Sequence, residues 1–182
     1  MYMERNDNIF DALAYFEDLA KKNKLCREKG FRPAFCSGPD SIEGVMQEFQ
    51  KTANFVMIDD TTDGNTYSEG VSFFQRRVYT VFILASYKWD DMADRKEKLN
   101  LCREIFKQFV RRMIWDRAQH ENADDDITFL NVEKIYSKEY GRYTMSGVTG
   151  LYFMVGNDEP ESMEYEDEQQ MESEWITEEE SD

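Results

Sequence analysis

Hydrophobic side chains recur every three or four positions in two parts of the chain, which predicts two main helices. The first covers residues 9–24, with Asn8 as its cap and an apolar stripe of Ile9, Leu13, Phe16 and Ala20. The second begins at Asp90 and continues to Trp115, with a stripe of Met92, Leu99, Cys102, Phe106, Phe109 or Val110, and Met113. Asp40 and Glu43 have the spacing of a capping box, so a further short helix is predicted over residues 40–49.

The other apolar runs are rich in β-branched and aromatic residues, and they predict strands over residues 53–58, 71–87, 127–136 and 140–155. Within residues 78–85 both faces are apolar, as in a central strand covered on both sides. Residues 59–70 carry strong turn chemistry and predict a hairpin tip, whereas residues 30–39, with two prolines and two glycines, predict a loop or irregular strand. Gly147 and Gly150 indicate a bulge or a close backbone approach.

This element order predicts an α+β fold: a mainly antiparallel sheet of about five strands, packed with the N-terminal helix and the long helix. Its domain is expected to occupy residues 1–156. Residues 157–182 form an acidic tail that is predicted to be disordered alone, because its charge leaves too little apolar surface to bury.

Charge is concentrated in that tail. The 182 residues carry a formal net charge of −16, and residues 158–182 hold 13 of the 38 acids and no base. The rest of the chain, with 25 acids against 22 bases, is close to neutral. Trp175 and Ile176 interrupt the tail's acids, and acidic segments of this kind dock on basic or grooved partners. An interaction role is therefore favoured over a purely solubilising one.

The long helix has the opposite charge. Eight bases and three acids lie between Arg95 and Arg117, which predicts a positive outer face for an acidic neighbour: another subunit, the chain's own tail or a phosphate backbone. An ordinary solvated face is the alternative. Sequence-specific nucleic-acid binding is not expected, because the chain lacks an overall basic balance and stacking platforms. The candidate interface residues are Arg103, Lys107, Arg111 and Arg112 on the helix, Asp63 and Gly64 at the hairpin tip, and Trp175 and Ile176 in the tail.

No recognisable catalytic or metal-binding motif is present, so no catalytic residue, cofactor or metal ligand is assigned and an enzyme is not expected. His120 is the single histidine, and no cysteine lies near it at zinc-ligand spacing. Residues 59–70 resemble a calcium loop at their start, but Gly70 stands at the twelfth position where a bidentate glutamate belongs.

Cellular location is limited by two further observations. The chain has only three cysteines, and an odd number cannot all pair in a disulfide framework. This favours a reducing compartment. The most apolar run, residues 78–87, is too short to cross a bilayer as a helix, and the N-terminal residues do not have the pattern of a signal peptide.

Residues 77–87 (RVYTVFILASY), followed by the acid-capped long helix, and residues 143–154 (YTMSGVTGLYFM) carry a resemblance to a known family. Over residues 8–156 the order of elements resembles the tail terminator and tail-completion proteins at the head–tail junction of tailed bacteriophages. That family opens with a helix, runs through a hairpin into an aromatic-rich strand, crosses by one long helix and closes with two strands. The short helix at residues 40–49 and the acidic tail depart from its simplest pattern.

The resemblance implies a non-enzymatic subunit of a virion, assembled in the cytoplasm of the bacterial host. Its partners would be copies of itself in a ring that terminates or joins the tail, and other virion proteins, with no membrane. A small acidic inhibitor or immunity-type protein that covers a basic partner is the alternative, and an enzyme with an unrecognised site is a third class.

Overall fold

The computed structural model describes residues 10–38, 54–120, 126–141 and 147–161. The elements are helices α1 (Ala12–Lys22), α2 (Lys24–Glu28) and α3 (Met92–His120), a 3₁₀ turn (Asp126–Phe129), and strands β1 (Phe31–Cys36), β2 (Asn54–Asp59), β3 (Asp63–Glu69), β4 (Ser72–Ser86), β5 (Tyr136–Glu139) and β6 (Val148–Glu161). The predicted α+β class is confirmed. The short helix predicted over residues 40–49 lies outside the described residues.

The six strands form one sheet in the order β1–β2–β4–β6–β5, with β3 paired to β4 on the same side as β2. Every pairing is antiparallel except that of β1 with β2, so the sheet is mainly antiparallel as expected. β2 pairs with residues 81–84 of β4, and β3 pairs with residues 72–78. β2 and β3 therefore form one side of a long hairpin, interrupted between Asp59 and Asp63.

The prediction of a hairpin tip over residues 59–70 is wrong for most of that segment. Asp63–Glu69 is a strand, and the tip lies at Gly70, whose φ of 65° is left-handed, and at Val71, which is 96% exposed. Tyr67 is directly opposite Phe74, and their rings stack at 5.4 Å between centroids. Cross-strand aromatic packing of this kind stabilises a strand in which Asp, Gly and Asn alone favour a turn.

The predicted strand over residues 127–136 is also wrong at its start. Residues 126–129 form a 3₁₀ turn, and regular strand begins only at Tyr136. In a 3₁₀ turn, residues three apart lie on the same side. Ile127 and Leu130 therefore both face the core, where they are 7% and 0% exposed.

The helix boundaries differ from the predicted ones for local reasons. The N-cap of α1 is Asp11 rather than Asn8, and its carboxylate accepts a hydrogen bond of 2.9 Å from the Ala14 backbone N–H. Asn23 ends α1 and caps α2, since its side chain accepts from the Cys26 N–H at 2.8 Å. The predicted single helix over residues 9–24 is therefore two helices. The long helix extends five residues past Trp115, to His120.

The core has two parts, one on each face of the sheet. On the first face, α1, α2 and α3 pack against the strands, and Phe16, Phe109 and Phe153 are among the fully buried side chains. On the second face a smaller cluster contains Cys36, Phe55, Met57, Phe82, Leu84 and Val148. Residues 81–85 of β4 are at most 2% exposed, so the prediction of a central strand buried on both faces is confirmed.

Gly150 is the predicted point of close backbone approach. Its φ is 150°, and a Cβ built there would lie 2.0 Å from the carbonyl oxygen of Ile83 on the neighbouring β4. A methyl group does not fit at that distance, so glycine is required for β6 to pair with β4 at this position.

β6 continues across the predicted boundary at residue 156 and ends at Glu161. Asn157, the first residue assigned to the tail, is fully buried. Trp175 and Ile176 lie outside the described residues.

All three cysteines are buried thiols. Cys102 lies on the apolar side of α3, as predicted, with no exposed surface. Burial raises the pKa of both Cys26 and Cys102 to about 12. Across the described ranges, no helix is both long enough and apolar enough to cross a membrane.

Candidate interaction surfaces

Three strands extend past the main part of the core and form an arm, in which β3 is the exposed strand. We define the arm as β3, residues 72–78 of β4 and residues 156–161 of β6, which are paired side by side. Most side chains of β3 are exposed, and those of the β4 segment are half-buried. Asp63 and Gly64, predicted at the hairpin tip, lie instead at the base of the arm, opposite Val78 and Arg77.

An ion pair joins β4, the central strand of the arm, to β6. The Arg76 guanidinium donates to both carboxylate oxygens of Asp158, at 2.5 and 3.0 Å, and Asn131 donates to the same carboxylate at 3.1 Å. These hydrogen bonds hold the pKa of Asp158 below its ordinary value of 3.8. Arg76 also lies over the Tyr67 ring, 5.2 Å from its centroid, so one side chain connects β3, β4 and β6.

Asp59 organises the interruption between β2 and β3. Its buried carboxylate accepts three hydrogen bonds through Oδ1, from the Gly38 N–H at 2.9 Å, the Thr61 N–H at 3.0 Å and the Thr61 hydroxyl at 2.7 Å. An aspartate that caps two backbone amides in this way fixes a turn. The segment first considered as a calcium loop is thus a hydrogen-bonded joint between the arm and the rest of the sheet.

The sheet has open edges on opposite sides. β3 pairs only with β4, and β5 pairs only with β6, among the strands of the described residues. All four residues of β5 are exposed, and so are six of the seven in β3. Unpaired backbone N–H and C=O groups at such edges can accept a further strand.

Two of the four candidate arginines and lysines on α3 are used within the chain. The Arg103 guanidinium donates to both oxygens of Glu139 on β5, at 2.6 and 2.8 Å, which holds β5 to the helix and lowers the pKa of Glu139. Arg112 lies on another side of the helix and donates to Asp116 at 2.6 Å. Asp116 in turn accepts from the Tyr15 hydroxyl at 3.0 Å, which joins α3 to α1.

Lys107 and Arg111 remain on the exposed side of α3, together with Ile114, which the sequence analysis did not single out, and Trp115, at which the predicted apolar stripe ended. Ile114 is 48% exposed and Trp115 is 62% exposed. We call these four residues the α3 patch. The prediction that the apolar stripe runs down to Trp115 is therefore wrong. The stripe ends at Met113, because Ile114 and Trp115 follow it at 100° steps that lead away from the core, and its predicted first member, Met92, is 49% exposed. A helical wheel of this segment is the signal that would have identified them.

The described residues line several clefts. One of about 450 Å³ lies between the start of α1 and β4 and contains Asp11, Asp60, Arg77 and Tyr79 in its lining. A cavity of about 350 Å³ beside the arm is lined by Asp59, Asp63, Phe82, Tyr140 and Tyr152, among others. Asp59 is already hydrogen-bonded in the joint, and Asp63 is exposed. Within the described ranges, no three His, Cys, Asp or Glu side chains are grouped closely enough to hold a metal ion.

Comparison with known proteins adds no family assignment. The sequence matches no protein-family model, and a search of curated proteins gives no significant match.

Proposed function

We propose that this chain is a non-enzymatic structural subunit of a phage head–tail interface, which assembles into a ring that terminates or joins the tail. In this proposal it acts by contact with neighbouring copies and with other virion proteins, and its location is the virion, assembled in the host cytoplasm. The order of elements described above supports the proposal, as does the exposed arm.

The two open edges carry the argument. A ring requires two different surfaces on each copy, such that one surface meets the other on the next copy. β3 and β5 are different strands on opposite sides of one sheet, and both are exposed. β3 of one copy pairing with β5 of the next continues the sheet from copy to copy.

The side chains of the two edges are compatible with that pairing. β3 carries acids at its two ends, Asp63 and Glu69, and β5 carries Lys138 next to Glu139, whose carboxylate is already paired with Arg103. A lysine opposite a carboxylate across two strands is favourable. β1, the other outer strand on the β3 side, contains Pro33, which has no N–H to donate and is typical of an edge that resists pairing.

The test is the solution mass of the full chain, measured by light scattering over a range of concentrations. We expect a closed assembly of more than two copies. Thr66→Lys with Ser68→Lys places two charges on the exposed β3 edge and should reduce the mass to that of a monomer, because lysines on an edge strand oppose pairing. The matched control, Ala93→Lys with Gln119→Lys on exposed positions of α3, should keep the assembly.

Two outcomes would contradict the proposal. Assembly that is unchanged by the β3 lysines would exclude this edge as the interface. A strict monomer that forms a one-to-one complex with a basic protein would favour the acidic inhibitor instead.

A further inference from the structure

We propose that the α3 patch is the docking site for the chain's own acidic segment, residues 162–182, with Trp175 and Ile176 packing against Ile114 and Trp115. This contact forms within one chain, so it does not depend on the ring. It gives the patch an occupant of defined chemistry.

The first argument is the apolar surface that the patch exposes. Single exposed hydrophobic residues are common, but here a tryptophan that is 62% exposed follows a 48% exposed isoleucine on the side of the helix away from the core. Tryptophan is also the residue type most often found at the energetic centre of protein interfaces.

The second argument is charge. Lys107 and Arg111 are one helical turn apart on the side of α3 that carries the two apolar residues. Arg111 lies 3.9 Å from Glu104, both largely exposed, which is a weak contact. No ion pair to Lys107 occurs among the described residues. The patch thus offers positive charge that the rest of the described chain does not fully neutralise.

The third argument is complementarity with residues 162–182. That segment contains ten acids and no base, with a Trp–Ile pair among them. The charges of the patch and of the segment are opposite, and each also carries apolar side chains that can pack against the other. Nucleic acid would satisfy the bases but leave the isoleucine without a partner.

The fourth argument is position. Asn131 donates from its backbone N–H to the Gly156 carbonyl at 2.7 Å, and Arg117 at the end of α3 lies 3.7 Å from Glu133. The C-terminal end of α3 is therefore beside the point where β6 enters the arm. Thirteen residues lie between Glu161 and Trp175, so fourteen Cα–Cα steps can span up to about 46 Å, well beyond the roughly 17 Å that β6 runs from Gly156 to Glu161. A tethered segment is also present at a high effective concentration.

The test uses full-length protein labelled with 5-fluorotryptophan, whose three tryptophans (Trp89, Trp115 and Trp175) give three ¹⁹F resonances. Docking predicts that the Trp175 line is as broad as that of Trp89 in the folded domain. Lys107→Glu with Arg111→Glu should narrow the Trp175 line by roughly threefold, because a released segment moves faster than the domain. The same variant should shift the Trp115 resonance and leave Trp89 unchanged, which also shows that the domain is folded.

The matched control reverses two exposed bases away from the patch, Lys29→Glu and Arg32→Glu, and should leave all three resonances in place. Ile176→Ser should release Trp175 without any change of charge. The proposal is overturned if the Trp175 line is narrow in the unmodified chain. It is also overturned if Trp115 responds only to an added short DNA duplex at low salt, which would assign the patch to nucleic acid. If the Trp175 line is broad in a chain that stays monomeric, the docking proposal is supported even though the ring proposal fails.

Discussion

The two halves of β4 belong to the same strand but have different environments. Residues 81–85 are buried on both faces, between β2 and β6, and contribute to both parts of the core. Residues 72–78 lie in the arm, where the same strand is flanked by β3 and the end of β6 and remains partly exposed. Backbone pairing is equivalent in the two halves, so the difference between them is side-chain burial. We call the part of the sheet outside the arm, with the helices packed on it, the body. We infer that the body supplies the stability of the fold and that the arm supplies surface for contact.

The largest expected difference between the body and the arm is the effect of removing an aromatic ring. Phe153, fully buried opposite Val81, packs against Phe16 and Phe106 with centroids 5.8 and 5.3 Å away. Phe153→Ala should lower the free energy of unfolding by about 4 kcal/mol, through lost burial and the cavity left behind. Phe74→Ala in the arm should cost about 1 kcal/mol, since that ring is only partly buried. Urea denaturation measures both, and equal costs would mean that the arm is part of the core.

Glycine substitutions compare body and arm at the level of the backbone. Gly150→Ala should destabilise the fold by about 3 kcal/mol, because its Cβ would meet the Ile83 carbonyl oxygen and its φ is unfavourable for alanine. Gly156→Ala, in the same strand, places a Cβ 3.7 Å from the Arg76 side chain, which is ordinary contact, and should change stability by less than about 0.5 kcal/mol. Thermal unfolding of the two variants gives the comparison. A tolerated alanine at residue 150 would show that β4 and β6 separate there at little cost.

The smallest expected effect is a response of the arm to acid. The pKa of Asp158 is held below its ordinary value of 3.8, chiefly by hydrogen bonds from Arg76, with Asn131 and the charge of Lys134 adding to the effect. Ionised Asp158 therefore stabilises the arm above that ordinary value, and this contribution is lost as the pH falls through the lower folded-state pKa.

Hydrogen exchange between about pH 5 and pH 2 should show arm amides losing protection, by the equivalent of about 1 kcal/mol, before the amides of residues 81–85 do. Asp158→Asn should remove this pH dependence. Simultaneous loss of protection in arm and body would indicate one cooperative unit.

Much of the fold follows from patterns that act locally. Both faces of residues 78–85 are apolar, which predicts a central strand, and the glycine at residue 150 predicts the close approach. Secondary-structure propensity gave the wrong answer where partners outside the segment decide its structure. Residues 63–69 favour a turn until Phe74 and Arg76 are placed beside Tyr67. The parallel pairing of β1 with β2 depends on tertiary packing, which periodicity alone does not encode.

The candidate surface was predictable in its charge but not in its arrangement. The number of bases on the long helix can be counted from the sequence, but the count does not show which of them are paired with acids of other elements. Arg103 is paired with Glu139, 36 positions along the chain, and Asp116 beside Arg112 bonds Tyr15, 101 positions away. These long-range contacts leave Lys107 and Arg111 as the bases that remain on the exposed side with Ile114 and Trp115.

The burial of the cysteines has a consequence for the covalent state of the protein outside a cell. Under the proposed function, the subunit leaves the cytoplasm within a particle and meets aerated water. Oxidation and alkylation act on the thiolate, and with a pKa of about 12 and no exposed surface, Cys26 and Cys102 remain almost wholly protonated at neutral pH. Their chemistry would then be the same before and after release. A cysteine introduced at the exposed arm tip, Val71→Cys, should accordingly react with maleimide well before these native thiols.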